Sequence, residues 1–380
     1  MCQSLAGHSS TTDGFTSGGG NSATINTINK FAFSSNVTAA DHGDLSVARE
    51  GIAGVSSSDK GFSAGGYPNQ TVLDYWSFSS NTTATDHGDM SVNRYATSGQ
   101  SASDYGFCSG NNGTGTIDKF AYASNTTATN HGSLSVNRSW TTGHSTPDYG
   151  WSAGGGGNSD VIDRFAFASN TTATDWGNCT SVRRSGAGCS SSTDGFISGG
   201  WISSPTTSID KFSFSSNSGA SSHGDLVTGR IEPVGQSSTD YGFTSGGWIS
   251  SVYRNEIEKF AFSSNTTASD WGDLSVAKQH SSGQSSTTEG FTSGGRTSGS
   301  TNTTAIDKFA FSSNTTATTH GDLSVAANYG GTGQSATNYG YHSGGDDVSQ
   351  IDQFAYSSNT TATDWGDLTF QAWSNAGQQY

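Results

Sequence analysis

The stretch ASDWGDLSVAK, residues 268–278, decides how this chain is read, because the chain writes it repeatedly. TDHGDMSVNR (85–94), TNHGSLSVNR (129–138) and TTHGDLSVAA (318–327) keep the Gly and the Leu or Met while Trp and His trade places. The Gly of the motif recurs at 43, 88, 132, 177, 224, 272, 321 and 366. An aromatic in a FAFSSN-type segment keeps the same phase, at Phe31, Trp76, Phe120, Phe165, Phe212, Phe260, Phe309 and Phe354, with steps of 45, 44, 45, 47, 48, 49 and 45 residues. Eight units of about 46 residues therefore fill residues 1–380 as a single domain, and that period is typical of a propeller blade.

Each unit holds four strand-like segments, as in GQSS (235–238), YGFTSGG (241–247), IDKFAFSS (306–313) and GDLSVAR (43–49). Asp-Tyr-Gly or Asp-Gly tightens the first connection, a double Gly ends the second strand, and SSNTTATD makes the third link with Asn where left-handed backbone is tolerated. In IDKFAY (117–122), Ile117 leaves one side of the strand while Phe120 and Tyr122 leave the other. Only stacked sheets bury both sides. The pattern predicts an all-β, eight-bladed propeller of four-stranded antiparallel blades. The first-strand segments, rich in Ser and Gln, are expected to line a polar, water-filled axial channel. The chain starts at a first strand (LAGHSS, 5–10) and ends with another first-strand start (NAGQQ, 375–379). Residues 374–380 are thus either a surplus tail or a ring-closing segment competing for the place of residues 5–10.

Composition narrows the function classes. Charged residues are only 12% of the chain and the net charge is −15, so the clustered Lys and Arg of a nucleic-acid surface are missing. No apolar run approaches the length of a membrane span, and MCQSLAGHSS lacks the basic start and apolar core of a secretory signal. The four cysteines, Cys2, Cys108, Cys179 and Cys189, fall at unrelated phases of the repeat and read as isolated thiols.

The unit resembles a kelch repeat: a double Gly closing the second strand (Gly246-Gly247), an aromatic third strand (Phe260), a Trp three residues before a Leu (Trp271, Leu274), and a base leading into the next blade, where Lys278 stands as Arg94 and Arg138 do elsewhere. Departures are Gly110-Asn111 for the Gly pair in unit three, Ala327 for the base in unit seven, and His for Trp in several units. In texture the chain is also similar to Gly/Ser-rich kelch-like repeat proteins of bacteriophages of aquatic cyanobacteria. That resemblance implies a virion-associated, tail-fibre-like role. WGDL and HGDL are expected to start the outer strand, where either ring fills space against the neighbouring blade.

The loops from strand two to three and from strand four to the next blade emerge on one face and vary. Recognition is expected there, through Trp140, Trp201, Trp248, Tyr253, Arg254 and Arg296. The acid pairs of DHGD and DWGD become Asn130, Ser222 or Thr319 at one position and Ser133 or Asn178 at the other, which suits turn capping better than metal ligation or acid–base chemistry. Asn-x-Thr occurs at Asn36, Asn81, Asn125, Asn170, Asn265, Asn314 and Asn359, and unit five breaks it after Asn217. These are plain Asn turns unless the chain passes through a glycosylating compartment. STDYGFTS (238–245) resembles the Asp-box, a folding turn. His42, His87, His131, His223 and His320 share one repeat position, and His8 and His144 another, so neither set marks an asymmetric catalytic centre. No copper-ligand set of the galactose-oxidase kind stands out.

The sequence therefore leads to a non-enzymatic structural or binding propeller, without catalytic residues, metal or cofactor, expected in a virion or extracellular setting. Its expected partners are another virion protein or a host surface glycan, not nucleic acid or membrane, and a homo-oligomer is compatible. The alternatives are a secreted or surface N-glycosylated repeat protein and a glycan-cleaving propeller enzyme.

Overall fold

The computed structural model describes residues 6–9, 13–18, 24, 26–32, 40–49, 52–68, 70–80, 83–94, 98–110, 114–138, 142–155, 159–169, 172–298, 301–327, 332–335, 338–345, 348–358 and 361–367. Among them the structure is all-β. Eight four-stranded antiparallel sheets follow one another along the chain, each with its strands in sequence order, plus one two-stranded hairpin. Sheets are numbered here in chain order by their first strands: Ala6–Ser9, Ala53–Ser56, Ser98–Ser101, Thr142–Ser145, Ala187–Ser190, Val234–Ser237, Ser282–Ser285 and Thr332–Ser335. First strands of consecutive sheets lie side by side from sheet 1 to sheet 8, so they are innermost and the fourth strands outermost, the arrangement of a propeller-like fold. Residues 374–380 lie outside the described residues, and with them the choice between a surplus tail and a segment competing for the place of residues 5–10.

Apolar groups leave both faces of each sheet, as the third strand predicts. Ile117 packs with Phe107, Phe165 and Phe167 toward sheet 4, while Phe120 and Tyr122 pack with Phe62 and Val55 toward sheet 2. The second-strand aromatic stacks on the aromatic that directly follows the third strand of the next sheet: Phe15 on Phe78 at 4.5 Å, Phe107 on Phe167 at 4.6 Å, Phe196 on Phe262 at 4.7 Å and Phe243 on Phe311 at 4.8 Å. Offset stacking of this kind adds to the burial itself.

The fourth strand corrects the sequence reading in two ways. It starts before the ring residue and ends at the second acid, as in Thr85–Asp89, and the following Met-Ser-Val-Asn-Arg is not strand. Asp74 pairs with Asp86 and Leu73 with Gly88, so His87 sits in a bulge that turns its ring toward sheet 3. There the ring does more than fill space. His87 Nε2 donates to the Ala121 carbonyl at 2.7 Å, His223 to Ala261 at 2.7 Å, Trp176 Nε1 to Ser213 at 2.6 Å and Trp271 to Ala310 at 2.9 Å. Trp and His trade places because each carries a ring N–H on a flat apolar body. The Gly cannot be traded. Gly88 has φ +115°, and a Cβ there would stand 2.6 Å from the Thr127 nitrogen of the next sheet.

The chain leaves the fourth strand because its base must turn inward. Arg49 meets Asp74 at 2.8 Å, Arg94 meets Asp118 at 2.5 Å, Arg138 meets Asp163 at 2.7 Å, Arg183 meets Asp210 at 2.9 Å and Lys278 meets Asp307 at 2.9 Å, all buried, and Arg230 pairs with Glu258. Each carboxylate also accepts a backbone N–H from the same connection, as Asp118 does from Ser91 at 3.1 Å. In sheet 7, where Ala327 stands at the base position, the fourth strand instead runs on from Thr318 to Ala327.

Nearer the axis a second set of contacts joins sheet to sheet. Hydroxyls meet across the junction at Ser17–Ser63 (2.6 Å), Ser109–Ser152 (3.0 Å), Ser198–Thr244 (2.7 Å) and Ser245–Thr292 (3.1 Å). Ser293 meets the His342 ring at 2.9 Å in the same way. Where the Ser of this pair becomes Ala64 or Ala153, the facing position becomes Cys108 or Ile197, and the junction is apolar. The first-strand Gln side chains belong to these junctions. Gln100, Gln236 and Gln284 are buried, and their amides bond Ser109, Ser245 and Ser293.

Two expectations follow for stability. Gly247 has φ +105°, and a Cβ would lie 2.9 Å from the Ile231 oxygen; Gly247→Val should lower the melting temperature clearly, and an unchanged melt would contradict the strand end assigned there. His223→Phe keeps a ring and removes the donor to Ala261, so denaturant unfolding should show a loss of about 1–3 kcal/mol.

Candidate binding face

Loops two-to-three and the segments entering each sheet meet on one face, as expected, and they are joined by backbone pairs. Trp201 exchanges two hydrogen bonds with Arg184 (3.1 and 2.8 Å), Trp248 two with Ile231 (both 2.9 Å) and Arg296 two with Gln279 (3.0 and 2.9 Å). Trp201, Trp248 and Arg296 are thus one position in three successive sheets, each following the double Gly, and all three are half-buried. Tyr67 occupies the same position in sheet 2 and is exposed; the sequence reading passed over it, although its place after Gly65-Gly66 marks it.

The two-to-three loop of sheet 6 forms a hairpin of Trp248–Ile249 and Val252–Tyr253. Tyr253 lies opposite Trp248. Ser250 and Ser251 both have positive φ, 47° and 67°, the twist of a type I′ turn that favours Asn-Gly. Arg254 is tied to Glu256 through Nε at 3.0 Å, so its charge is already engaged within the loop. Trp140 lies outside the described residues. The entry segments turn at Ser185, Glu232 and His280, all with φ between 53° and 57°. They are linked in turn: Glu232 N–H donates to the Ser185 carbonyl at 3.1 Å, and His280 Nε2 lies 2.9 Å from the Glu232 carboxylate. Five of the six residues singled out from sequence therefore sit on one face, three of them in register.

The opposite face carries uniform turns, and the structure gives its polar residues capping roles. Asp86, Asn130, Asp175 and Asp270 each accept the N–H of the Gly two residues on, at 2.7 to 2.9 Å. At the other end of the fourth strand, beside the two-to-three loop, the second acid accepts a Thr hydroxyl, as Asp89 from Thr71 at 2.8 Å and Asp225 from Thr207 at 2.9 Å. Among the described residues no group of three or more His, Cys, Asp or Glu could hold a metal ion. The Asn amides bridge sheets: Asn265 donates to Ser222 at 2.8 Å, Asn314 to Asp270 at 2.8 Å and Asn125 to Asp86 at 3.4 Å. Asn217, which lacks the Thr of a glycosylation acceptor, makes the same bond to Asp175 at 2.9 Å. Asn at this position thus makes the same contact whether or not a Thr follows two residues on. Asn36, Asn81, Asn170 and Asn359 lie outside the described residues. In the STDYGFTS turn, Ser238 Oγ accepts the Tyr241 N–H at 3.1 Å, a folding role.

The thiols are inert by environment. Burial pushes Cys108 and Cys179 up to about 12 and Cys189 up to about 11; Cys2 lies outside the described residues. Burial lowers His8 to about 3 and His144 to about 4. A folded-state pKa below the unfolded 6.5 means that the unfolded chain binds protons first as pH falls. Their contribution to stability is complete above pH 6.5 and is lost between 6.5 and about 3 to 4, at roughly 1.4 kcal/mol per unit for each ring. Gln occupies the His8 position in sheets 3, 6, 7 and 8, so His8→Gln should fold and show a shallower fall of melting temperature between pH 6.5 and 4 than the parent chain.

No family model and no curated protein matches this sequence. Among solved structures the chain is similar to one titled "Structure of YjhT", with a TM-score of 0.46 and 11% identity over 70% of this chain and 95% of that one.

Proposed function

We propose that this chain is an eight-bladed, kelch-like propeller that works by binding through its variable face, as a structural or adhesive part of a virion rather than as an enzyme. The observation that carries the reading is the shared register of Trp201, Trp248 and Arg296, each fixed by two backbone bonds to an entry segment yet left half-buried. Rigid aromatic platforms beside an Arg suit stacking on sugar rings or on a protein partner's side chains. The uniform turns of the other face, by contrast, are taken up by capping and by sheet-to-sheet bonds. The near-identity of the units supports a tail-fibre-like appendage, in which one fold is repeated to build a rigid body and only the loops diverge.

The test is binding of the full chain to a panel of bacterial surface polysaccharides and to candidate neighbouring virion proteins. Trp201→Ala and Trp248→Ala should each weaken the retained interaction about tenfold or more while leaving the melt unchanged. Binding insensitive to both would reject the face. Release of reducing ends would instead favour a glycan-cleaving enzyme, and excess intact mass in hexose units would favour the glycosylated alternative.

A further inference from the structure

The sequence carries 16 Lys and Arg, and the repeat accounts for all but three of them. Six meet a buried acid at the junctions. Six lysines donate to a carbonyl of the next sheet, as Lys30 does to Phe78 at 2.8 Å and Lys308 to Tyr356 at 2.9 Å. Arg164 lies over the Tyr149 and Trp176 rings at 4.4 and 3.5 Å. The remainder are Arg184, Arg254 and Arg296, all on the variable face of the successive sheets 5, 6 and 7, and all arginine.

Backbone pairing sets their neighbours. In sheet 5 Trp201 is bridged to Arg184 on one side and to Pro205 on the other; Ile231, Trp248 and Tyr253 form the equivalent row in sheet 6, and Gln279, Arg296 and Asn302 in sheet 7. Residues directly opposite in an antiparallel ladder carry their side chains on the same side, about 5 Å apart at Cβ. Arg184 is therefore the cross-strand neighbour of the Trp201 indole, and Arg296 takes the place of the indole one sheet beyond Trp248. Arg184 is exposed, and among the described residues its guanidinium has no hydrogen-bond or ion-pair partner. The acids of these segments are engaged, Glu256 with Arg254 and Glu232 with His280.

Resting on the assignment of binding to this face, we propose that its ligand is a carboxylated polysaccharide, a polymer containing uronic acids. Sugar rings stack on Trp201 and Trp248, and a carboxylate meets Arg184, with Arg296 at the far end of the same crescent. A guanidinium fork takes both oxygens of a carboxylate, which Lys or a neutral side chain does not. Indole faces take the C–H side of a sugar ring. The net charge of −15 does not prevent this contact, because repulsion from acids elsewhere is screened beyond roughly 8 Å at physiological salt. Two indoles fixed in register by backbone pairs suit a polymer of repeating rings better than the irregular side chains of an acidic protein.

The experiment is binding of the full chain to immobilised polygalacturonate, alginate and hyaluronate. Fully methyl-esterified polygalacturonate supplies the sugar without the charge, and poly-L-glutamate the charge without the sugar. Saturable binding of at least one acidic polysaccharide is expected, falling as salt is raised. It should weaken about tenfold in Arg184→Gln, as loss of a charge-assisted hydrogen bond implies, and less in Arg184→Lys. Arg184 is exposed, so both variants should keep the parent melt. Absence of saturable binding to all three polymers would overturn the ligand class, whatever neutral glycan or virion protein the face retains. The ester bound as tightly as the acid, or binding that needs both indoles but is indifferent to Arg184, would overturn the carboxylate contact and leave the face standing. Polyglutamate bound as tightly would replace the glycan by an acidic protein. Binding indifferent to Arg184, Trp201 and Trp248 alike would overturn this proposal and the binding face together.

Discussion

A sheet of short strands with apolar side chains on both faces is stable only between two neighbours, and the hydrogen bond from the outermost ring of one sheet to a carbonyl of the next holds that neighbour in place. The bulge at His87 aims the ring sideways, Gly88 permits the bulge, and the N–H reaches Ala121 in sheet 3. Without that donor a carbonyl at the end of the third strand would be buried and unpaired, at a cost near that of a whole net hydrogen bond. The Phe stacks then close beneath it. The repeat is therefore a unit of contact between sheets as much as a unit of chain.

The buried ion pairs act on the same junctions at a different depth. Burial pushes the Asp118 carboxyl upward, and Arg94 at 2.5 Å with the Ser91 N–H draws it back. Such pairs contribute modestly to stability compared with a well-packed apolar replacement, but losing one member strands the other, a loss of several kcal/mol. Their effect here is geometric: the base leads the chain from the outer edge back to the axis, and the carboxylate receives both the base and the backbone that carries it. Sheet 7, with Ala327 at that place, keeps the Ser324 N–H to Asp352 at 3.0 Å and lengthens its strand.

Much of this architecture is legible in the sequence because its signals are local and repeated. Period, four segments per unit, the two-faced third strand and the grouping of variable loops can all be read from residues such as Ile117 and Phe120 or from the double Gly before Trp248. What escapes the sequence depends on partners more than twenty residues away. Nothing local says that Trp176 and His223 matter for an N–H, that Asn217 and Asn265 share an amide bond to the previous sheet, or that the Asp of IDKF receives a base from the preceding unit. The outer strand lies earlier along the chain than the strand-like residues of GDLSVAR suggest, for the same reason: its Arg is drawn inward. The variable face is legible as a place, through variation, and the register of Trp201, Trp248 and Arg296 only through backbone pairing.

The alternation of hydroxyl and apolar contacts near the axis has a further effect on how the chain finds its fold. Near-identical tethered units are prone to docking out of order, each offering its neighbours' partners almost the same surface. A unit presenting Ser17 or Ser109 would have to bury its hydroxyl against Cys108 or Ile197 if it skipped a place, and one presenting Ala64 or Ala153 would leave Ser152 or Thr244 unanswered. A few side chains thus give otherwise interchangeable units an order of assembly, much as differently cut teeth keep gears from meshing with the wrong wheel.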